Sequence, residues 1–153
     1  MQPVDETYFK NAPQRFSRTF LIPQPASAVW DELTGEKPLH WVKATNVTWT
    51  SARPFGVGTT REIKIAGGAF SAKEYYFLWE EGRRHCFYMS SCNLPVFETL
   101  AEDYVVEPTG DSSCEFTWTI CVTPSTLGKA GGPLNRLVFG NLFRDTAKYF
   151  NAA

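Results

Sequence analysis

The amino-acid sequence predicts an α+β domain in which a curved antiparallel sheet of about seven strands wraps around a long C-terminal helix. Three observations support this fold class. Strand-like segments recur from Phe16 to Val122, and the breaks between them are short and turn-like. Short connections of this kind join antiparallel neighbours. Two small helical segments follow the first strand, and a long helical pattern at about Pro133 to Phe150 comes last.

Length and composition limit the classes of protein that fit. The 153 residues suit a single domain, which we place at residues 16–152 after an N-terminal extension at residues 1–15. Hydrophobic residues make up 43% and charged residues 20%, as in globular rather than disordered chains. The net charge is -1 and no basic run occurs, which argues against a nucleic-acid partner. No stretch approaches the roughly 20 apolar residues of a transmembrane segment.

The first strand and the two small helices have clear boundaries in the sequence. The first strand is predicted at Phe16–Ile22 and ends at Pro23. A short helix follows at Pro25–Thr34, because Pro suits the first helical position and Gly35 suits the residue beyond the end. A second short turn of helix is predicted at Pro38–Trp41.

Six further strands are predicted from apolar runs that are bounded by turn residues. They span Asn46–Thr50, Thr60–Ala66, Ser71–Glu80, Arg84–Asn93, Phe97–Glu107 and Cys114–Val122. The strand Ser71–Glu80 carries aromatic residues on both faces. This pattern indicates that the strand is covered on both sides or that its outer face joins a partner.

The last helix carries polar residues where a packed core would prefer aliphatic ones. At about 100° per residue, its apolar side covers about half of the circumference and comprises Leu134, Val138, Phe139, Leu142, Phe143, Tyr149 and Phe150. An ordinary surface helix needs an apolar stripe only somewhat wider than about 100°, so we expect this helix to be covered on more than one side. Asn135 and Thr146 lie near the middle of the apolar arc. Polar groups between a helix and a curved sheet predict a cavity.

Three segments resemble the helix-grip fold of the START-like or Bet v 1-like (SRPBCC) superfamily. Ile22–Leu33 resembles a first strand that leads into a helix with Val-Trp, Phe55–Arg61 resembles a glycine-marked entry to the third strand, and Val105–Asp111 with Phe116–Trp118 resembles the last hairpin. The pattern is similar to bacterial proteins labelled polyketide cyclase/dehydrase and lipid transport. Over residues 16–150, the resemblance implies a small apolar or amphipathic molecule held between helix and sheet. It implies no shared catalytic signature.

Strand alternation directs one carboxylate toward the last helix. Trp118 lies on the apolar face of the last strand, and Glu102 shares the helix-facing side of the preceding strand with Tyr104. A buried carboxylate has a raised pKa and could act as a general acid or base, or orient a ligand hydroxyl. The alternative is that Glu102 meets water. For Glu74, an outward direction is favoured.

Three other titratable residues have weaker predictions. Arg61 is in phase with Ile63 and Ile65 and either holds a ligand carboxylate at a cavity rim or, with greater weight, lies at the surface and pairs with a nearby Glu. His85 follows a hairpin and is expected to be exposed. His40 precedes Trp41 in a region where this fold often has its cavity mouth, so a gating role is one interpretation.

The sequence predicts neither a metal site nor a cofactor, because no ligand spacing or phosphate-binding loop is present. The four cysteines have no redox-type spacing, and the first residues lack the apolar centre of a signal peptide. We therefore expect reduced thiols and a cytoplasmic location.

The predicted function is the binding of a small hydrophobic or amphipathic molecule, lipid-, polyketide- or aromatic-like, beneath the last helix. The predicted ligand-binding residues are Trp41, Tyr76, Tyr88, Glu102, Tyr104, Trp118, Asn135, Leu142 and Thr146. One alternative is a cyclase, dehydratase or hydrolase that acts on a polyketide-like or aromatic substrate, with Glu102 and Tyr104 as candidate catalytic residues. Another is a protein-interaction module that uses the outer sheet face. A monomer and a homodimer both remain open.

Overall fold

The computed structural model describes the backbone of residues 1–153 and the side chains of residues 1–129 and 135–153. The strands are β1 (Gln14–Ile22), β2 (Thr45–Trp49), β3 (Thr60–Ile65), β4 (Phe70–Glu80), β5 (Arg84–Cys92), β6 (Phe97–Gly110) and β7 (Ser113–Pro124). The helices are α1 (Tyr8–Asn11), α2 (Ala26–Thr34) and α3 (Gly132–Tyr149), with 3-10 turns at Ala66–Gly68 and Gly128–Gly131. Within this description, no helix is both long and apolar enough to cross a membrane.

All seven strands form one antiparallel sheet in the order β1-β7-β6-β5-β4-β3-β2. The segment that contains α2 carries the chain from one edge of the sheet to the other, and each later strand pairs with the one before it. Buried residues of β1, β6 and β7 belong to the same hydrophobic core as residues of α3. The predicted helix-grip fold is confirmed.

The short helix α1, in the segment before β1, packs on the convex face of the sheet. Phe9 of α1 stacks on Phe77 of β4 with ring centroids 6.2 Å apart, and the Tyr8 hydroxyl lies 2.9 Å from Oγ1 of Thr123. These contacts explain why β4 carries aromatic residues on both faces. β1 begins at Gln14, two residues earlier than predicted, because it pairs there with β7.

The second predicted helical segment, Pro38–Trp41, is a turn. Leu39 has a φ of 59°, in the left-handed region that a right-handed helix cannot contain. Leu39 is nevertheless 3% exposed, because the turn directs its side chain into the core. The turn also places the neighbouring Trp41 beside α3.

The buried stripe of α3 is narrower than its sequence predicts. Phe139, Phe143, Thr146 and Phe150 are buried and recur at spacings of three or four residues. Val138 and Tyr149 are 36% and 41% exposed. The prediction that α3 is covered on more than one side is therefore wrong at these two positions. The predicted apolar position Leu134 lies outside the described side chains.

Two irregularities in the pairing of β4 with β5 change which residues face the helix. One lies between Lys73 and Glu74, and the other lies between Tyr76 and Leu78. After the second bulge, Trp79 rather than Leu78 pairs with the inward-facing residue of β5. A bulge inserts an extra residue and so reverses the alternation beyond it, which a simple period of two cannot predict.

Candidate functional site

A cavity of about 300 Å³ lies beneath the N-terminal half of α3, between the helix and the concave face of the sheet. Its walls come from β3 to β6, from the β5–β6 loop and from the segment before α3. The lining residues are Ile63, Ile65, Phe70, Met89, Leu94, Val96, Phe97, Leu100, Glu102, Leu127, Gly128, Asn135, Val138, Phe139 and Leu142. Most of these side chains are apolar, so the cavity suits an apolar guest.

Glu102 brings a carboxyl group to this cavity from the middle of β6. Its Oε2 accepts hydrogen bonds from the Tyr104 hydroxyl at 3.1 Å and from the Trp118 indole nitrogen at 2.8 Å. Tyr104 and Trp118 are directly opposite each other in the β6–β7 register, and Tyr104 lies two residues from Glu102 on the same face. The antiparallel pairing therefore brings both donors to the carboxyl group.

The environment of Glu102 favours its protonated form. Burial raises the pKa of its carboxyl to about 8, and the nearby charge of Glu74 acts in the same direction. The charge of Arg61 and the hydrogen bonds from Trp118 and Tyr104 oppose this shift. A carboxylic acid with such a pKa can donate a hydrogen bond or a proton near neutral pH.

Arg61 and Glu74 form a buried ion pair on the same concave face. They are directly opposite each other in the β3–β4 register, each side chain is 1% exposed, and Arg61 Nε donates to Glu74 Oε2. The guanidinium carbon lies 4.3 Å from the ring centre of Phe87 and 5.4 Å from that of Tyr76, within reach of cation–π attraction. The predictions of an outward Glu74 and of a surface or rim position for Arg61 are wrong.

The reason for this correction is the register of the sheet. A buried guanidinium needs a compensating charge, and the carboxylate opposite it supplies one. Burial raises the pKa of Glu74, while the Arg61 charge and its hydrogen bond lower it. Arg61 Nη1 has no hydrogen-bond partner among the described residues.

His85 is fully buried, which corrects the prediction that it is exposed. Trp79, placed inward by the β4 bulge, stacks on His85 with centroids 5.2 Å apart, and Trp30 of α2 lies 5.3 Å away. Burial and the charge of Arg61 hold the pKa of His85 well below its ordinary value. Neither ring nitrogen has a hydrogen-bond partner among the described residues, and the same holds for the buried Tyr76 hydroxyl.

The structure places the predicted site residues in five separate locations. Glu102, Asn135 and Leu142 line the cavity, whereas Tyr104 and Trp118 hold the carboxyl group of Glu102 from behind. Tyr76 is buried beside the Arg61 guanidinium, outside the cavity wall. The last three predicted residues, Trp41, Tyr88 and Thr146, are elsewhere.

Trp41 and Thr146 contact each other rather than the cavity. The Trp41 indole nitrogen donates to Thr146 Oγ1 at 3.0 Å, and the Trp41 ring stacks on Tyr149 at 4.7 Å. His40 is exposed, lies 3.1 Å from a carboxylate oxygen of Glu32, and contacts the edge of the same aromatic pair. This group fixes the C-terminal half of α3.

Tyr88 does not face the helix, so its placement among cavity residues is wrong. Its neighbours Phe87 and Met89 take the inward positions of β5 and are buried. Tyr88 instead contacts Tyr75 on the convex face, with ring centroids 5.5 Å apart. The strand alternation is regular here, so the error came from assigning the wrong face to β5.

Most apolar wall residues were missed by sequence reasoning. Alternation could have found Ile63 and Ile65, since they share a face of β3. Leu94, Val96 and Leu127 lie in connecting segments, where no periodic pattern reports the direction of a side chain.

Comparisons with known proteins agree with this fold. The model of the family described as polyketide cyclase / dehydrase and lipid transport matches residues 13–152. An uncharacterized protein from Mycobacterium tuberculosis is 30% identical over 140 residues, which span 89% of this chain and 78% of that protein.

Two solved structures show the same fold at low identity. A START superfamily protein from Mycobacterium smegmatis has a TM-score of 0.67 at 13% identity, with 88% of this chain and 92% of that chain covered. The di-domain ARO/CYC BexL has a TM-score of 0.62 at 14% identity, with 87% of this chain and 46% of that chain covered. The family match over nearly the whole length shows that this chain belongs to the polyketide cyclase/dehydrase and lipid transport family, with its START-like fold.

Proposed function

We propose that the protein binds one small apolar or amphipathic molecule in the cavity beneath α3, with Glu102 orienting the polar group of that molecule. The observation that carries the proposal is an apolar hollow of about 300 Å³ with a buried carboxyl group in its wall. This volume lies at the lower end of the range for ligand pockets, about 300–1,000 Å³. It suits a compact ring system or a short chain better than a two-chain phospholipid.

The lining supports affinity that depends on apolar area. Burial of a ligand's apolar surface contributes about 25 cal/mol per Å², from which the loss of translational and rotational freedom must be subtracted. A guest that buries about 250 Å² would gain about 6 kcal/mol before that cost. About 6 kcal/mol corresponds to a dissociation constant of tens of micromolar before that cost, so we expect simple apolar probes to bind weakly, with high-micromolar or larger dissociation constants.

A titration with a neutral fluorescent lipophile tests this proposal. N-phenyl-1-naphthylamine should become brighter on binding to the wild-type protein, because its emission increases in an apolar environment. Leu142 lines the cavity, whereas Leu137 on the same helix is 61% exposed and does not line it. Leu142→Phe should weaken binding at least tenfold, and Leu137→Phe should leave it unchanged.

Two results would contradict binding in this cavity. One is the absence of any fluorescence change with the wild-type protein. The other is an equal response of the Leu142→Phe and Leu137→Phe variants, which would place the probe elsewhere. Native mass spectrometry of protein purified from its source would then test for a co-purified molecule of another kind.

A second candidate function is acid–base catalysis on a bound polyketide-like or aromatic substrate. It is favoured by the position of Glu102 in the cavity wall together with a pKa of about 8, which suits proton transfer near neutral pH. Tyr104 would act as a positioning residue, since its hydroxyl donates to Glu102. A substrate turned over by the wild-type protein and by Tyr104→Phe, but not by Glu102→Gln, would support this function.

A further inference from the structure

The charges of the buried ionisable groups on the concave face of the sheet balance only if Glu102 is uncharged. An arginine stays charged in proteins, and the Arg61 charge is matched by the carboxylate of Glu74. His85 has no hydrogen-bond partner in the described part of the chain and is fully buried, so it is neutral. An ionised Glu102 would add an unmatched negative charge to this interior, at a high desolvation cost.

The hydrogen bonds of Glu102 locate its proton. An indole N–H can only donate, and both Trp118 Nε1 and the Tyr104 hydroxyl donate to the same oxygen, Oε2. The carbonyl oxygen is the stronger acceptor of a carboxylic acid, so two accepted hydrogen bonds favour Oε2 as the carbonyl oxygen and Oε1 as the protonated one. Among the described residues, no partner is recorded for Oε1, and Glu102 lines the cavity. A bound molecule can therefore reach this O–H group.

The rest of the cavity wall restricts the charge of the guest. Asn135 is the other lining residue with a polar side chain, and neither it nor any other described lining residue is cationic. An anionic head group would lose its hydration without gaining a positive partner, since Arg61 is paired with Glu74. An ammonium group could form an ion pair with Glu102 only after the carboxyl group of Glu102 had lost its proton.

We infer that the preferred ligand is an uncharged lipophile with one carbonyl oxygen, such as an aromatic ketone, which accepts a hydrogen bond from Glu102 Oε1. This inference rests on the proposed function and adds the chemical class of the guest. The apolar wall holds the hydrocarbon part of the molecule, while the acid selects the carbonyl group. Selection arises because a hydrocarbon of the same shape leaves the Glu102 O–H without a partner.

Three probes with a common ring system test the inference by isothermal titration calorimetry. They are 2-acetylnaphthalene, the near-isosteric hydrocarbon 2-isopropenylnaphthalene, and 2-naphthoate as the anion. At pH 6.5 the wild-type protein should bind both neutral probes, the ketone and the hydrocarbon. It should bind 2-naphthoate more weakly than either of them. Glu102→Leu should weaken the affinity for the ketone relative to that for the hydrocarbon by about five- to tenfold, the usual worth of one hydrogen bond.

Glu102→Gln is the matched control for this experiment. Its amide can still donate to a ketone but cannot ionise, so it should keep the preference for the ketone at every pH. With the wild-type protein, raising the pH from 6.5 to 9.5 should remove most of that preference. The carbonyl stretching frequency of bound 2-acetylnaphthalene should be lower with the wild type than with Glu102→Leu, which reports the hydrogen bond directly.

The outcomes separate this inference from the proposed function. If the ketone and the hydrocarbon respond equally to Glu102→Leu, or if 2-naphthoate binds more tightly than the ketone, the inference fails while binding in the cavity stands. If neither neutral probe binds to the wild-type protein, the proposed function itself fails. Circular dichroism and thermal unfolding of each variant would establish that it is folded.

Discussion

The two halves of α3 rest on the sheet in different ways. At its C-terminal half, which we call the closed end, Trp41, Thr146, Tyr149 and Phe150 contact one another through stacked rings and a hydrogen bond. At its N-terminal half, the cavity end, mostly aliphatic and phenyl side chains surround about 300 Å³ of space. Aromatic rings in contact with one another fill the closed end, whereas shorter side chains leave a hollow at the cavity end.

A polar residue on the apolar face of α3 has a different role at each end of the helix. Thr146 and Asn135 both lie within the apolar arc of α3. Thr146 is fully buried and accepts a hydrogen bond from Trp41, so it serves the packing of the helix. Asn135 lines the cavity. The same sequence signal therefore corresponds to a structural contact at one end and to a cavity wall at the other.

The buried ion pair of Arg61 and Glu74 should give the largest effect on stability. Glu74→Leu leaves Arg61 charged and without its partner, so we expect the free energy of unfolding to fall by about 3–5 kcal/mol. Urea denaturation measures this change. The control is Glu62→Leu on the neighbouring strand, where Glu62 makes only a partly exposed contact with Lys64 and should contribute less than about 1 kcal/mol.

The double variant Arg61→Met with Glu74→Leu sharpens this prediction. Removing both charges also removes the unmatched charge, so the double variant should be more stable than Glu74→Leu alone. If the losses of unfolding free energy from the two substitutions simply add, the two charges do not compensate each other in the way inferred for this interior.

The second prediction concerns the pH dependence that Glu102 gives to the cavity end. An exposed Glu in the unfolded chain ionises near pH 4.3, whereas burial keeps Glu102 protonated in the folded protein up to about pH 8. The folded state therefore binds more protons between these values, and the free energy of unfolding falls as the pH rises. Between pH 6.5 and 9 the loss is about 2 kcal/mol, since one pKa unit corresponds to about 1.4 kcal/mol.

Glu102→Gln isolates this contribution from other titrations. Buried thiols also have raised pKa values, including that of Cys121 at about 11, and these remain in the variant. His85 has a lowered pKa, so its contribution is lost as the pH falls below about 6.5, and that also remains. Chemical denaturation of both proteins at pH 6.5 and 9 should show a smaller loss for Glu102→Gln. Equal losses would mean that Glu102 is already ionised at pH 6.5.

The fold could be predicted from the sequence because it depends on patterns that survive without tertiary information. Turn residues such as Pro23 and Gly82 limit strands, and alternation along β6 and β7 placed Glu102, Tyr104 and Trp118 on the inner face. These patterns depend on backbone geometry. They gave the order of elements and the buried carboxyl group.

The remaining features depend on register and packing, which a single strand does not report. The bulge in β4 turns Trp79 inward, where it covers His85. The pairing of β3 with β4 places Arg61 opposite Glu74 and allows both to be buried. Neither fact follows from the residues of one segment. The cavity exists because the side chains around it do not fill the space between helix and sheet, and that depends on the packing of several segments together.

A third prediction tests the closed end through its hydrogen bond. Thr146→Val keeps the shape of the side chain but removes the acceptor for the Trp41 indole nitrogen, so the free energy of unfolding should fall by about 1–2 kcal/mol. Trp41→Phe and the double variant complete a thermodynamic cycle measured by urea denaturation. A coupling energy near zero would show that stacking alone holds this end of α3.

The smallest effect is expected where the helix borders empty space. In a packed core, an enlarged side chain costs about 1–3 kcal/mol because neighbours must move. Leu142 lines the cavity, so the larger ring of Leu142→Phe can occupy that volume, and its free energy of unfolding should stay within about 1 kcal/mol of the wild type. Leu137→Phe on the exposed side of α3 corrects for the change in helix propensity. A loss of more than about 2 kcal/mol beyond that control would mean that this end of the helix is as tightly filled as the other.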